Sequence, residues 1–166
     1  MTTTSSSCRH NRLPLSGSVE HIHVAEVTSG PVHAVASVEA VAGVGLTGDR
    51  NARRDGARID SGEGNDVTLI EAEEVEALAR SGIELAPGES RRNLTTRGIR
   101  LNELVGKEFW IGDVLARGIE LCEPCTHLVA LTGKALIKPL THRAGLRADL
   151  LTTGVINIGD RVEVKA

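Results

Sequence analysis

Along His21-Ile22-His23-Val24-Ala25-Glu26-Val27 the apolar residues alternate imperfectly, with Ile22 and Val24 facing inward from an extended run. A Ser29-Gly30-Pro31 turn follows, then a second extended run over 32–41. From 45 to 65 the chain is glycine-rich and charged without usable periodicity, which predicts a long loop. Val67-Thr68-Leu69-Ile70 reads as a short buried strand. It leads into Glu71-Ala72-Glu73-Glu74-Val75-Glu76-Ala77-Leu78-Ala79-Arg80, the clearest helix of the sequence. Its carboxylates crowd the positive N-terminal end, Arg80 lies near the other end, and Gly82 supplies a stop. Those carboxylates read as the helix's solvated side. Strand patterns return at 93–96, 108–111, 114–121 and 155–164. Ile111-Gly112-Asp113-Val114 and Ile158-Gly159-Asp160-Arg161 each read as a tight turn between paired strands. Many short strands and few helices predict an α+β, β-rich domain, a closed or partly closed β-barrel with a few short helices.

Composition sharpens this picture. The 166 residues suit one domain, expected to span 19–166, with the Ser/Thr-rich stretch 1–18 as a disordered tail. Phe109 and Trp110 are the only aromatic residues, so the core has to be aliphatic. With 19 basic against 22 acidic side chains and so few aromatics, nucleic acid is not an expected partner. No apolar stretch approaches the roughly 18–20 residues that span a bilayer, and the N-terminus has no signal-peptide core. Three cysteines, one of them Cys8 in the tail, argue against a disulfide scaffold and for a reducing cytoplasm.

Gly43-Val44-Gly45-Leu46-Thr47-Gly48 matches the spacing of a dinucleotide-binding loop, yet Gly48 opens onto charged residues without an apolar helix face, so it reads as a loop. The most chemical segment is Cys122-Glu123-Pro124-Cys125. Three readings compete: a zinc site, a thioredoxin-type redox pair, and one reactive thiol beside a packed one. A zinc site lacks well-spaced partners, since only His127 and His142 are near. A thioredoxin-type pair lacks its βαβ surround. For the third reading, Cys122 continues an apolar run, while Pro124 breaks the strand and leaves Cys125 at the start of a short helix ending near Gly133. A helix N-terminus favours a thiolate. Arg91-Arg92-Asn93, beside the Pro87-Gly88 turn, suits an anion such as phosphate, and His142, Arg143 and Arg147 form a second basic cluster around Gly145. For any single arginine, solvated surface charge remains the alternative.

Taken in order, these pieces resemble the MOSC domain, the module at the C-terminus of molybdenum-cofactor sulfurases that also occurs alone. The resemblance rests on Gly45-Leu46-Thr47-Gly48-Asp49-Arg50, Val67 to Glu71, Pro87 to Leu94, Gly106 with Ile111-Gly112-Asp113, Pro124-Cys125, and Gly145 to Asp149 with Gly154 to Asp160. It implies a pocket for molybdenum cofactor (molybdopterin), with Cys125 as the catalytic residue and metal ligand, or as the carrier of a persulfide. It also implies cofactor contacts from Asp49, Arg50, Arg91, Arg92, Asn93, His142, Arg143 and Arg147. Pyridoxal phosphate would belong only to a separate desulfurase partner, if to any.

The resemblance thus implies a small oxidoreductase that acts on N-hydroxylated compounds, drawing electrons from an external redox partner. Two alternatives stay open: a persulfide sulfur carrier serving a separate desulfurase, and a non-catalytic binding domain for an anionic metabolite. A homodimer is compatible with any of them.

Overall fold

The computed structural model describes residues 16–52 and 66–166. In chain order the elements are β1 (Ser16–Val24), β2 (His33–Val35), β3 (Ser37–Val41), β4 (Gly45–Leu46), β5 (Val67–Glu71), α1 (Ala72–Arg80) and β6 (Leu94–Arg97). A 3-10 turn (Leu101–Leu104) then precedes β7 (Glu108–Ile111), β8 (Val114–Leu121), α2 (Thr126–Thr132), α3 (Ile137–Leu140), β9 (Leu146–Leu150), β10 (Gly154–Asn157) and β11 (Arg161–Val164).

Seven strands close into a barrel in the order β1-β11-β7-β8-β9-β5-β6, with β6 returning to β1 and β2 appended to the outside of β1. Closure leaves no unpaired edge in the ring. Within it, β5 and β6 run parallel and the other pairs antiparallel. The parallel pair follows from α1, because a parallel return needs a crossover and the helix supplies it. A three-stranded sheet, β10-β3-β4, covers part of the barrel.

The barrel interior is aliphatic apart from Phe109, which is fully buried with Ile22, Leu69, Leu94, Ile111, Leu146 and Val162. A second, smaller apolar cluster lies among the helices: Leu78 of α1, Leu128 of α2, Leu136, Leu140 of α3 and Ala144. It packs the three helices against one another.

Four expectations need correction. The Gly112-Asp113 turn does join paired strands, Ile111 facing Val114 across β7–β8. The Gly159-Asp160 turn does not, because β10 pairs with β3 while β11 pairs with β7 and β1. That turn carries the chain from one sheet to the other, a choice local turn chemistry does not encode. Ser16 to Ser18, polar enough to read as tail, form the start of β1 and pair with β11. Backbone pairing needs no apolar side chain there. Gly45 and Leu46, read as loop, form β4 against β3; of that loop, residues 53–65 lie outside the described residues, as do residues 1–15 with Cys8. Finally, the helix carboxylates are not all solvated. Glu71 is buried and accepts the Leu101 N–H at 2.8 Å, and Glu73 accepts the Gly98 N–H at 2.7 Å.

Candidate functional site

β8 ends at Leu121, and the next residue is still tied to the sheet: Cys122 N–H donates to the Gly145 carbonyl at 2.8 Å. Pro124 then brings a residue with no N–H to continue the ladder. Cys125 follows in extended conformation (φ −136°, ψ 167°) as the N-terminal cap residue of α2, whose other end is capped by Gly133. The Cys125 side chain is exposed, and that of Cys122 is buried.

Arg92 shapes this turn from behind. Its Nε donates to the Ala144 carbonyl at 2.9 Å, and its Nη2 donates to the carbonyls of Cys122 (3.1 Å) and Glu123 (3.4 Å). Consecutive carbonyls in a strand point opposite ways, so two converging on one nitrogen means that the backbone curls here. Close approach of the neighbouring segment also requires Gly145. At φ 113°, a Cβ there would lie 1.8 Å from the Leu69 carbonyl oxygen.

Three further arginines gather on this side. Arg50 is held by Asp49 at 3.3 Å and donates through Nη2 to the Arg91 carbonyl at 3.3 Å. Asp49 itself is buried and accepts the Ala25 N–H at 3.0 Å. Arg91, in left-handed backbone conformation (φ 61°), donates through Nη1 to the Gly30 carbonyl at 2.9 Å. Its Nη2 is buried and has no hydrogen-bond partner among the described residues. Burial first, and then the charge of Arg50, push the Arg91 pKa below its ordinary value, with Asp49 opposing. Burial does the same to Arg92, helped by Arg147 and Arg50 and opposed by the two sulfurs of Cys122 and Cys125. Arg50, Arg91, Arg92, Arg147 and Cys125 therefore belong to one electrostatic neighbourhood.

Other candidates are placed differently. Asn93 is buried and structural: its Oδ1 accepts both the Thr68 N–H and hydroxyl at 3.1 Å, and its Nδ2 donates to the His23 carbonyl at 3.2 Å. His142 faces Glu123, its Nδ1 at 3.2 Å from the carboxylate, and Arg143 faces Glu74 at 4.0 Å. The expected second basic cluster is therefore divided, each member facing its own carboxylate: Arg147 faces Glu120 at 3.8 Å, and it alone also acts electrostatically on Arg92. Sequence pattern marked the Ser29-Gly30 turn but not its place beside this site. Gly30 receives Arg91, and Ser29 Oγ pairs with His127 Nε2 at 3.1 Å. No local signal announces contacts to partners 61 and 98 positions away. Among the described residues no cluster of three or more His, Cys, Asp or Glu side chains is placed to hold a metal ion.

Solved structures of similar fold include the YuaD protein of Bacillus subtilis (TM-score 0.71, 15% identity, covering 90% of this chain and 95% of that one). YiiM of Geobacillus stearothermophilus (TM-score 0.66, 18% identity, 90% and 75%) and YiiM of Escherichia coli (TM-score 0.66, 17% identity, 92% and 71%) share it too. Among curated proteins none matches the chain by sequence. The family model of the MOSC domain matches residues 56–163, a span that holds the Arg91-Arg92-Asn93 segment, the curled turn and Cys125, while Asp49 and Arg50 lie before it. That family is associated with the molybdenum cofactor. This chain belongs to the MOSC domain family.

Proposed function

We propose that the chain is a molybdenum-cofactor-binding oxidoreductase acting on N-hydroxylated compounds, with Cys125 as the molybdenum ligand. One observation carries this reading. An exposed thiol lies within electrostatic reach of Arg92, and the adjoining Arg91 buries an N–H donor without a partner among the described residues. Such a donor costs about 1–3 kcal/mol unless something accepts from it. An anionic group between Arg50 and Arg91 would supply that acceptor and offset the repulsion between the two guanidinium groups. The residues therefore fit a phosphate-bearing pterin.

Arg91 and Arg50 would hold the phosphate, and Cys125 would present a soft sulfur ligand suited to molybdenum. Arg92, committed to four backbone carbonyls, positions the turn that carries Cys125 and is not itself free to grip a ligand. The Ser29-Gly30 turn covers Arg91 and would limit water around the bound anion. When bound, the group supplies two-electron redox chemistry at its metal, fed by an external donor.

The test is metal analysis of protein from a host that makes the cofactor. We expect molybdenum near one atom per chain, lost in Cys125→Ser and reduced at least tenfold in Arg91→Ala. Molybdenum-free protein from such a host overturns the reading. The exposure of Cys125 also supports a second reading, a persulfide carrier, because a sulfur donor must reach the atom. A mass increase of about one sulfur on Cys125, reversed by reductant, with no molybdenum, would select it.

A further inference from the structure

We propose that Cys122 and Cys125 are a redox pair: the buried thiol resolves an oxidised Cys125 by forming a disulfide across the Glu123-Pro124 turn.

The geometry begins with the curl. Three residues of extended chain would set the two Cα atoms about 10 Å apart, beyond the roughly 7 Å that a disulfide allows. The Arg92 clamp shortens that span, because its Nη2 draws the Cys122 and Glu123 carbonyls to one point and bends the chain between the two cysteines. Exposure differs as a resolving pair requires: Cys125 meets solvent, and Cys122, 2% exposed, is shielded from direct attack. Nor does the Cys125 side chain make a capping hydrogen bond to α2, so turning it inward breaks none.

The oxidant is a peroxide. Cys125 sulfur attacks one peroxide oxygen, the O–O bond breaks, the sulfur is oxidised by two electrons to a sulfenic acid, and the other oxygen leaves as water. Cys122 sulfur then attacks Cys125 sulfur; the S–S bond forms, the S–O bond breaks, and the hydroxyl leaves with the Cys122 proton as a second water. One peroxide is reduced per disulfide. The disulfide withdraws Cys125 from any metal and protects it from irreversible oxidation, and a thiol reductant restores it.

The experiment uses the full chain carrying Cys8→Ser, treated with hydrogen peroxide and weighed intact. The expected product is lighter by two hydrogens and reverts with dithiothreitol; digestion should give one peptide with Cys122 and Cys125 linked internally. In added Cys122→Ser the product should instead gain one, two and three oxygens in turn. Peptide mapping of the chain with both cysteines needs no core variant, so the test survives if Cys122→Ser folds poorly. Stepwise oxygen gain on Cys125 with Cys122 still reduced overturns the proposal. Molybdenum content is read separately: a disulfide without molybdenum sinks only the cofactor reading, and molybdenum without a disulfide sinks only this one.

Discussion

At Asn93 a single side chain joins three strands. It accepts twice from Thr68 of β5, and donates to the His23 carbonyl of β1, from the start of β6. Asn93→Ala would leave the buried Thr68 N–H without its acceptor and should cost about 2–3 kcal/mol in urea unfolding. Gly88 shows a different constraint. At φ 81° it lies on the buried His23 ring, and a Cβ would come within 2.6 Å of Cδ2. Gly88→Ala should therefore destabilise by about 2 kcal/mol or more, and in a His23→Ala background by only the backbone cost of about 1 kcal/mol. His23 also gives the fold a pH dependence. Burial first, then His21, lowers its pKa from the ordinary 6.5. The unfolded chain then binds a proton that the folded chain resists, so stability is full above about 6.5 and falls as pH drops from there toward the lowered value. Unfolding at pH 7.5 and pH 5 should show this loss, and His23→Gln should shrink it. A loss of equal size in the variant would assign it elsewhere.

At the scale of elements, the loop between α1 and β6 is held from outside. Lys134, between α2 and α3, donates to the Glu84 carbonyl and to the Glu89 carboxylate. Lys134→Ala should change global stability by under about 1 kcal/mol, since the pair is partly exposed. It should nevertheless speed amide exchange over 84–91, the segment that delivers Arg91 and Arg92 to the site. Unchanged exchange would mean that the loop is held by its own turns. Among the elements, β7 and β8 were legible to the residue, because alternation around Gly112-Asp113 marks both strands and their turn. β9 was not, although Leu146, Ala148 and Leu150 all face the core. Between them stand Arg147, which read as part of a basic cluster with His142 and Arg143, and Asp149, and a charged residue on a barrel strand differs from one in a loop only by its neighbours. α3 is a single turn containing Pro139, too short for any periodicity to register.

The whole molecule depends on one long-range pairing. β11 is inserted between β1 and β7, so the last strand of the barrel bridges the first to the middle of the chain. Ending the chain after Asn157 would expose the edges of β1 and β7 and remove the buried Val162 from the core. The truncated protein should aggregate or elute far from the monomer position, and a compact monomer with an unchanged strand spectrum would contradict this. No helix among the described residues is long and apolar enough to cross a membrane. Local pattern by itself determined the strand-rich class, α1, the β7–β8 hairpin and the placement of Cys125 at a helix start, since period, proline and glycine act within a few residues. Only the tertiary structure decided that Glu71 is buried, that Asn93 is structural, that His142 and Arg143 turn to Glu123 and Glu74, and that Arg92 bends the cysteine turn. The reason is physical: a charged or polar side chain acquires its role from the partner it meets, and these partners come from other parts of the chain, most of them tens of residues away.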